Sequence, residues 1–190
     1  MERRFFELDF DVYVPGRWYL REPVTPDGQE IPDIWAFVSG KPTAEPGRLC
    51  IPLSRSGKPL DFDKTTVAGT PIVNAWVAAV FRERASRDVQ LFQVEVQGQA
   101  EPFYLLNVAR EIRCIDDAAC AEARRWIPED GRPDRVGEYH VVSGLRINKS
   151  AVREARVFRL WGYLLPIIVD ETLKDALERT GMVGGRFVEV

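Results

Sequence analysis

The chain has 190 residues, 45% of them hydrophobic and 29% charged, with a formal net charge of -3, which fits one domain with an ample core. The acidic balance, with a pI near 5.4, and the lack of a basic stripe exclude a grip on nucleic acid by phosphate neutralisation. No run approaches the roughly 20 apolar residues of a membrane span, and MERRFFELDF has no apolar signal region, so a cytoplasmic protein is expected.

Phe6, Leu8, Phe10, Val12 and Val14 alternate with Phe5, Glu7, Asp9, Asp11 and Tyr13, which predicts a first strand stopped by Pro15 and Gly16. A short strand at 18–20 precedes a turn-rich passage, 23–47, whose Ile34, Trp35 and Phe37 would pin it to the body. Brief strands follow at 49–53 and 60–66. Thr70 reads as an N-cap and Pro71 as the first position of a helix over about 71–84, buried on most sides.

The stretch 88–113 is the expected centre of the fold. Phe92, Val94 and Val96 alternate with Gln93, Glu95 and Gln97, Gly98 to Pro102 supplies a turn, and 103–108 is apolar on both faces until Asn107. That pattern predicts a hairpin in mid-sheet. Asp116 and Asp117 would open a second helix over about 116–125. A loop at 126–137 leads to strands at 138–148, 155–160 and 165–169. Asp170 caps a last helix, about 171–180, with Gly181 at the left-handed C′ position and a strand at 185–190. The order gives an α+β fold with a mainly antiparallel sheet, the central hairpin and two or three helices. The expectation is one domain over 1–190, of which 1–59 is a strand plus a turn-rich N-terminal portion.

Few groups of side chains suggest chemistry. Glu7, Asp9 and Asp11 project from one strand face and could meet a basic partner or a cation; a solvated or edge-protecting face is the plainer reading. His140 is the sole histidine, so a thiol mechanism would need it beside Cys114 or Cys120, as in a small hydrolase or transferase. Neither cysteine has a nucleophile motif, and the three cysteines, Cys50 included, lack metal spacing and fit reduced thiols. Gly181, Gly184 and Gly185 follow a helix, which is the wrong order for a phosphate loop. Tryptophans in loop-like surroundings, Trp126 above all with Glu129 and Asp130 beside it, can anchor an interface or simply plug a loop onto the core.

The successions TPIVN (70–74), PFYLLNVAREIRCID (102–116) and VFRLWGYLLPIIVDETLKDALERTGMVGGRFVEV (157–190) resemble a family of bacterial immunity proteins, once catalogued as a domain of unknown function and encoded beside polymorphic toxins. The resemblance spans about 60–190. It implies a non-enzymatic protein that binds and neutralises one cognate toxin; separately, no cofactor or metal is expected. It transfers no binding residue. The expected contacts are Glu7, Asp9, Asp11, Trp126, Glu129 and Asp130. Nothing in the sequence indicates self-association, although it leaves it open.

Overall fold

The computed structural model describes residues 3–190. In chain order its elements are β1 (Phe5–Phe10), β2 (Tyr19–Leu20), β3 (Leu49–Ile51), β4 (Leu53–Arg55), β5 (Phe62–Lys64), β6 (Pro71–Asn74), α1 (Ala75–Arg84), β7 (Val89–Val96), β8 (Phe103–Val108), β9 (Glu111–Ile112), β10 (Glu122–Arg125), β11 (Tyr139–Ser143), β12 (Val157–Leu160), β13 (Tyr163–Asp170), α2 (Glu171–Arg179) and β14 (Gly185–Glu189). They form two five-stranded sheets, β14-β1-β13-β12-β9 and β3-β7-β8-β6-β5, and two ribbons, β2-β4 and β10-β11. Among the paired strands of the described residues, only β9 with β12 and β3 with β7 run parallel. The fold is α+β and mostly antiparallel, as expected.

The hairpin over 88–113 is formed by β7 and β8, in register from Val89 opposite Val108 to Val94 opposite Phe103. β8 lies between β7 and β6, which pair both its edges, and both its faces are covered as well: Phe103 and Leu105 enter one core, Leu106 and Val108 another. Asn107 is buried but satisfied in part, its Nδ2 donating to Lys41 O and to Oε1 of its cross-strand partner Gln90, both at 2.9 Å. Gln90 in turn accepts from Thr43 N and donates to Thr43 O. This polar pair fastens the turn-rich segment onto the sheet.

Phe6 and Leu8 of β1, Val73 of β6, Leu106 of β8 and Val169 of β13 share a core with Val77 and Phe81 of α1 and Leu173 and Leu177 of α2. A second core joins Trp18, Leu20, Phe37, Leu49 and Ile51 to Ile72, Phe92 and Leu105, so the chain before residue 56 packs against the chain after it. A third, on the other face of the sheet containing β1, holds Phe5, Phe158, Ile168 and Leu145. The capping of α2 matches the sequence: Asp170 Oδ1 accepts from Leu173 N at 2.8 Å, and Gly181 follows with φ of +70°.

Five local expectations are corrected. The helix expected from 71 begins at Ala75, because Pro71–Asn74 is a strand held between β5 and β8. Ile72 and Val73 are fully buried there, and β-branched side chains packed on both faces outweigh a favourable Thr-Pro start. Asn74 is the true cap, and α1 buries Val77, Ala78 and Phe81 while Trp76 is 61% exposed, so it is not covered on most sides.

No helix forms at 116–125. A turn at Asp116 is followed by β10, which pairs with β11. A helix of about ten residues is marginal without an apolar stripe to bury, and this segment offers none. The first strand stops at Phe10; Asp11 Oδ1 instead accepts from Tyr13 N, closing a turn. The strand expected at 138–148 ends at Ser143.

Candidate functional site

β10 and β11 form an arm whose connecting loop is tied down by side chains. Trp126 N donates to Glu138 O at 2.9 Å and Gly137 N returns to Trp126 O at 3.0 Å, which pinches the loop closed at its base. The Trp126 ring stacks on His140 with centroids 3.6 Å apart and planes 15° from parallel, and the Arg135 guanidinium lies 5.3 Å from the indole centroid. Asp130 Oδ2 accepts from Ile127 N at 3.0 Å and stands 3.8 Å from His140 Nδ1. Glu129 is exposed at the tip.

The base of the arm is a second network. The Arg125 guanidinium lies 4.3 Å from the Tyr139 ring centroid, and its Nη2 donates to Tyr139 Oη at 2.6 Å and to Asp117 at 3.0 Å. Tyr139 also donates to Asp117. The Tyr139 hydrogen bond, reinforced by Arg125, holds the Asp117 carboxyl below its usual range, while burial pushes the Tyr139 phenol up to about 12. Tyr139 N donates to Gly162 O at 3.0 Å, linking the arm to the β12-β13 turn.

Between arm and body runs a cleft of about 470 Å³, lined among others by Trp35, Gly69, His140, Arg159, Tyr163 and Leu165. Gly69, Tyr163 and Leu165 also line an adjoining hollow of about 340 Å³ that contains Glu7 and Asp9. Trp35 is 55% and Leu165 73% exposed at this cleft. Trp35 therefore does not pin its loop; Phe37, packed against Phe92 with centroids 6.1 Å apart, does.

The six residues expected to meet a partner fall into two groups. Glu7 and Asp9 share a face of β1, without Asp11, because the chain has turned by then. Asp9 is opposite Arg186 of β14 and accepts from its Nε at 2.9 Å, so part of the acidic row is neutralised within the fold. Burial, then the neighbouring Asp9, raises the Glu7 carboxyl above its ordinary value, with Arg186 opposing. Burial, and then Glu7, in turn raise the Tyr163 phenol. Trp126, Glu129 and Asp130 belong to the arm.

The thiol and imidazole pairing is not formed. His140 is engaged by Trp126 and Asp130, the Cys114 thiol is buried and pushed up to about 12, and Cys120 Sγ contacts the Arg146 backbone. Among the described residues no three His, Cys, Asp or Glu side chains converge as a metal site would require. Sequence reasoning passed over Arg159, Tyr163 and Leu165. Arg159 did leave a signal, as the one charged residue in the apolar run 157–169.

The fold and this surface define the class: an α+β body with an arm-walled cleft rimmed by exposed aromatic and aliphatic side chains. Residues 56–190 match the Immunity protein family (Imm11), and the chain belongs to that family. No curated protein matches the chain. Among the described residues no helix is long and apolar enough to cross a membrane.

Proposed function

We propose that this chain acts as one cytoplasmic domain that binds a cognate toxin one to one and neutralises it by occlusion, without turnover. The observation behind this reading is the apolar lip of the cleft. Trp35 and Leu165 stand out at its edge, 55% and 73% exposed. Large apolar side chains gathered beside a polar rim are what a protein interface uses for its anchors. Trp126 supports the arm from beneath, and Glu7, Asp9, Asp11, Glu129 and Asp130 supply charge around the contact.

The test is to mix the purified chain with the product of the neighbouring toxin gene. A one-to-one complex by light scattering and rescue of cells expressing the toxin are expected. A toxin that remains unbound and lethal in the presence of the chain would overturn the reading.

A further inference from the structure

Among the described residues two arginines are buried, and they are held differently. Arg17 is 8% exposed and closed by the Asp63 carboxylate, which also accepts from Trp18 Nε1 at 2.9 Å. Arg159 is 1% exposed and has no carboxylate partner among the described residues. Its Nη1 donates to Leu164 O at 2.6 Å and to Leu165 O at 3.2 Å, while Nε and Nη2 meet no acceptor. Glu111 is its register neighbour on β9, yet the two side chains form no ion pair.

Burying a cation without compensation is costly, and the cost shows in the guanidinium, pulled down to about 10 by desolvation. The backbone at Gly40 passes close to this side chain: a Cβ built there would stand 3.6 Å from Arg159 Cβ. Arg159 lines the cleft between arm and body. Nε and Nη2 form one edge of the guanidinium, and their N–H bonds run parallel at the spacing of the two oxygens of a carboxylate. Nη1, held by two carbonyls, fixes the plane. Glu138 in the same cleft is taken up by Arg135 at 3.0 Å, but Glu111 is not, which disfavours a dianionic phosphate.

We propose that the cleft receives a carboxylate side chain of the bound protein, gripped by the unpaired Nε and Nη2 edge of Arg159 as the side chains that cover that edge give way. The proposal rests on the toxin-binding reading above and adds the chemistry of one anchor. The contact would be short-ranged and would compensate a charge the fold leaves open.

Two arms of one experiment test it. In the first, the Nε–H resonance of Arg159 in the ¹⁵N-labelled chain is followed while sodium acetate replaces sodium chloride at constant ionic strength. A saturable downfield shift with acetate is expected; no shift overturns the proposal whether or not a toxin complex forms. In the second, toxin affinity is measured for wild type, Arg159→Met and Arg159→Lys. Both variants are expected to bind about 100-fold more weakly, as when one partner of a buried charge pair is removed. Lys keeps the charge without the fork, so it covers the case in which Met fails to fold. Unchanged affinity in a folded variant that loses the acetate response means a small-molecule carboxylate is the occupant, and the assignment to a protein side chain falls. A wild-type chain that binds acetate but no toxin overturns the immunity reading and leaves the carboxylate site standing.

Discussion

Asn74 caps α1 and is itself held by Asp61. Its Oδ1 accepts from Val77 N at 3.0 Å, and its Nδ2 donates to Asp61 Oδ1 at 2.6 Å. Asp61 Oδ2 accepts from Val183 N at 2.8 Å, so one carboxylate joins the start of α1 to the turn before β14. Asn74→Ala removes the cap and one of Asp61's partners together, and should cost about 1–2 kcal/mol in chemical denaturation. Asn74→Asp keeps an acceptor for Val77 but faces Asp61 with a like charge, so it should recover stability only as the pH is lowered into the carboxylate range.

Gly184 has φ of +105°, and a Cβ built there would stand 2.1 Å from Phe62 O. Gly181 has φ of +70° with open space around it. Gly181→Ala should therefore cost about 1 kcal/mol, the penalty of the left-handed region alone. Gly184→Ala should cost about 3 kcal/mol or more, because backbone must move as well. Similar urea midpoints for the two variants would contradict the close approach at Phe62.

Glu7 fixes a direction for pH dependence. A carboxyl whose folded value is raised holds its proton more tightly in the native chain, so it favours folding below the ordinary carboxylate range and loses that contribution as pH rises through the folded value. At pH 7 the ionised group is a liability. Glu7→Gln should stabilise the chain at neutral pH by less than about 1 kcal/mol, the gain vanishing below about pH 4. A gain that grows on acidification would show that the sign is wrong.

Cys114 is 3% exposed and its thiol is pushed up to about 12 by burial. In native protein at pH 8 a thiol reagent should leave it untouched while labelling the partly exposed Cys50 and Cys120. The same shift means that its contribution to stability is full below the unfolded value of about 8.5 and declines as the pH rises toward 12. Mass-spectrometric mapping of the labelled cysteines checks the first point and alkaline unfolding of Cys114→Ala against wild type the second.

Trp126→Ala should loosen the arm and leave the body intact, since the indole bridges Arg135 and His140 while the three cores lie elsewhere. Amide exchange should quicken within 122–143 and stay unchanged in β7 and β8. Toxin affinity should fall with it. Unaltered exchange in the arm would mean that the backbone bonds at Trp126 suffice to hold the loop.

Much of this fold was readable in advance where a local pattern and its tertiary surroundings agree. The β7-β8 hairpin shows period-two burial on one strand and apolar residues on both faces of the other, and both features survive in the structure. The Asp170 and Gly181 punctuation of α2 is local chemistry, settled within a few residues of chain. The two misplaced helices arose where distant partners outweighed local preference. Pro71–Asn74 became a strand because β5 and β8 flank it, and 116–125 lost its expected helix to pairing with β11.

The sequence by itself determined an acidic α+β chain of immunity-family type, with its central hairpin and its capped last helix, because periodicity and capping are properties of neighbouring residues. Only the tertiary structure decided that Asp9 faces Arg186, that Trp126 stacks on His140, and that Arg159 is buried without a counter-charge beside a cleft. Those relationships join side chains that chain folding alone brings together, and electrostatic compensation depends on such distances, to which spacing along the sequence is blind.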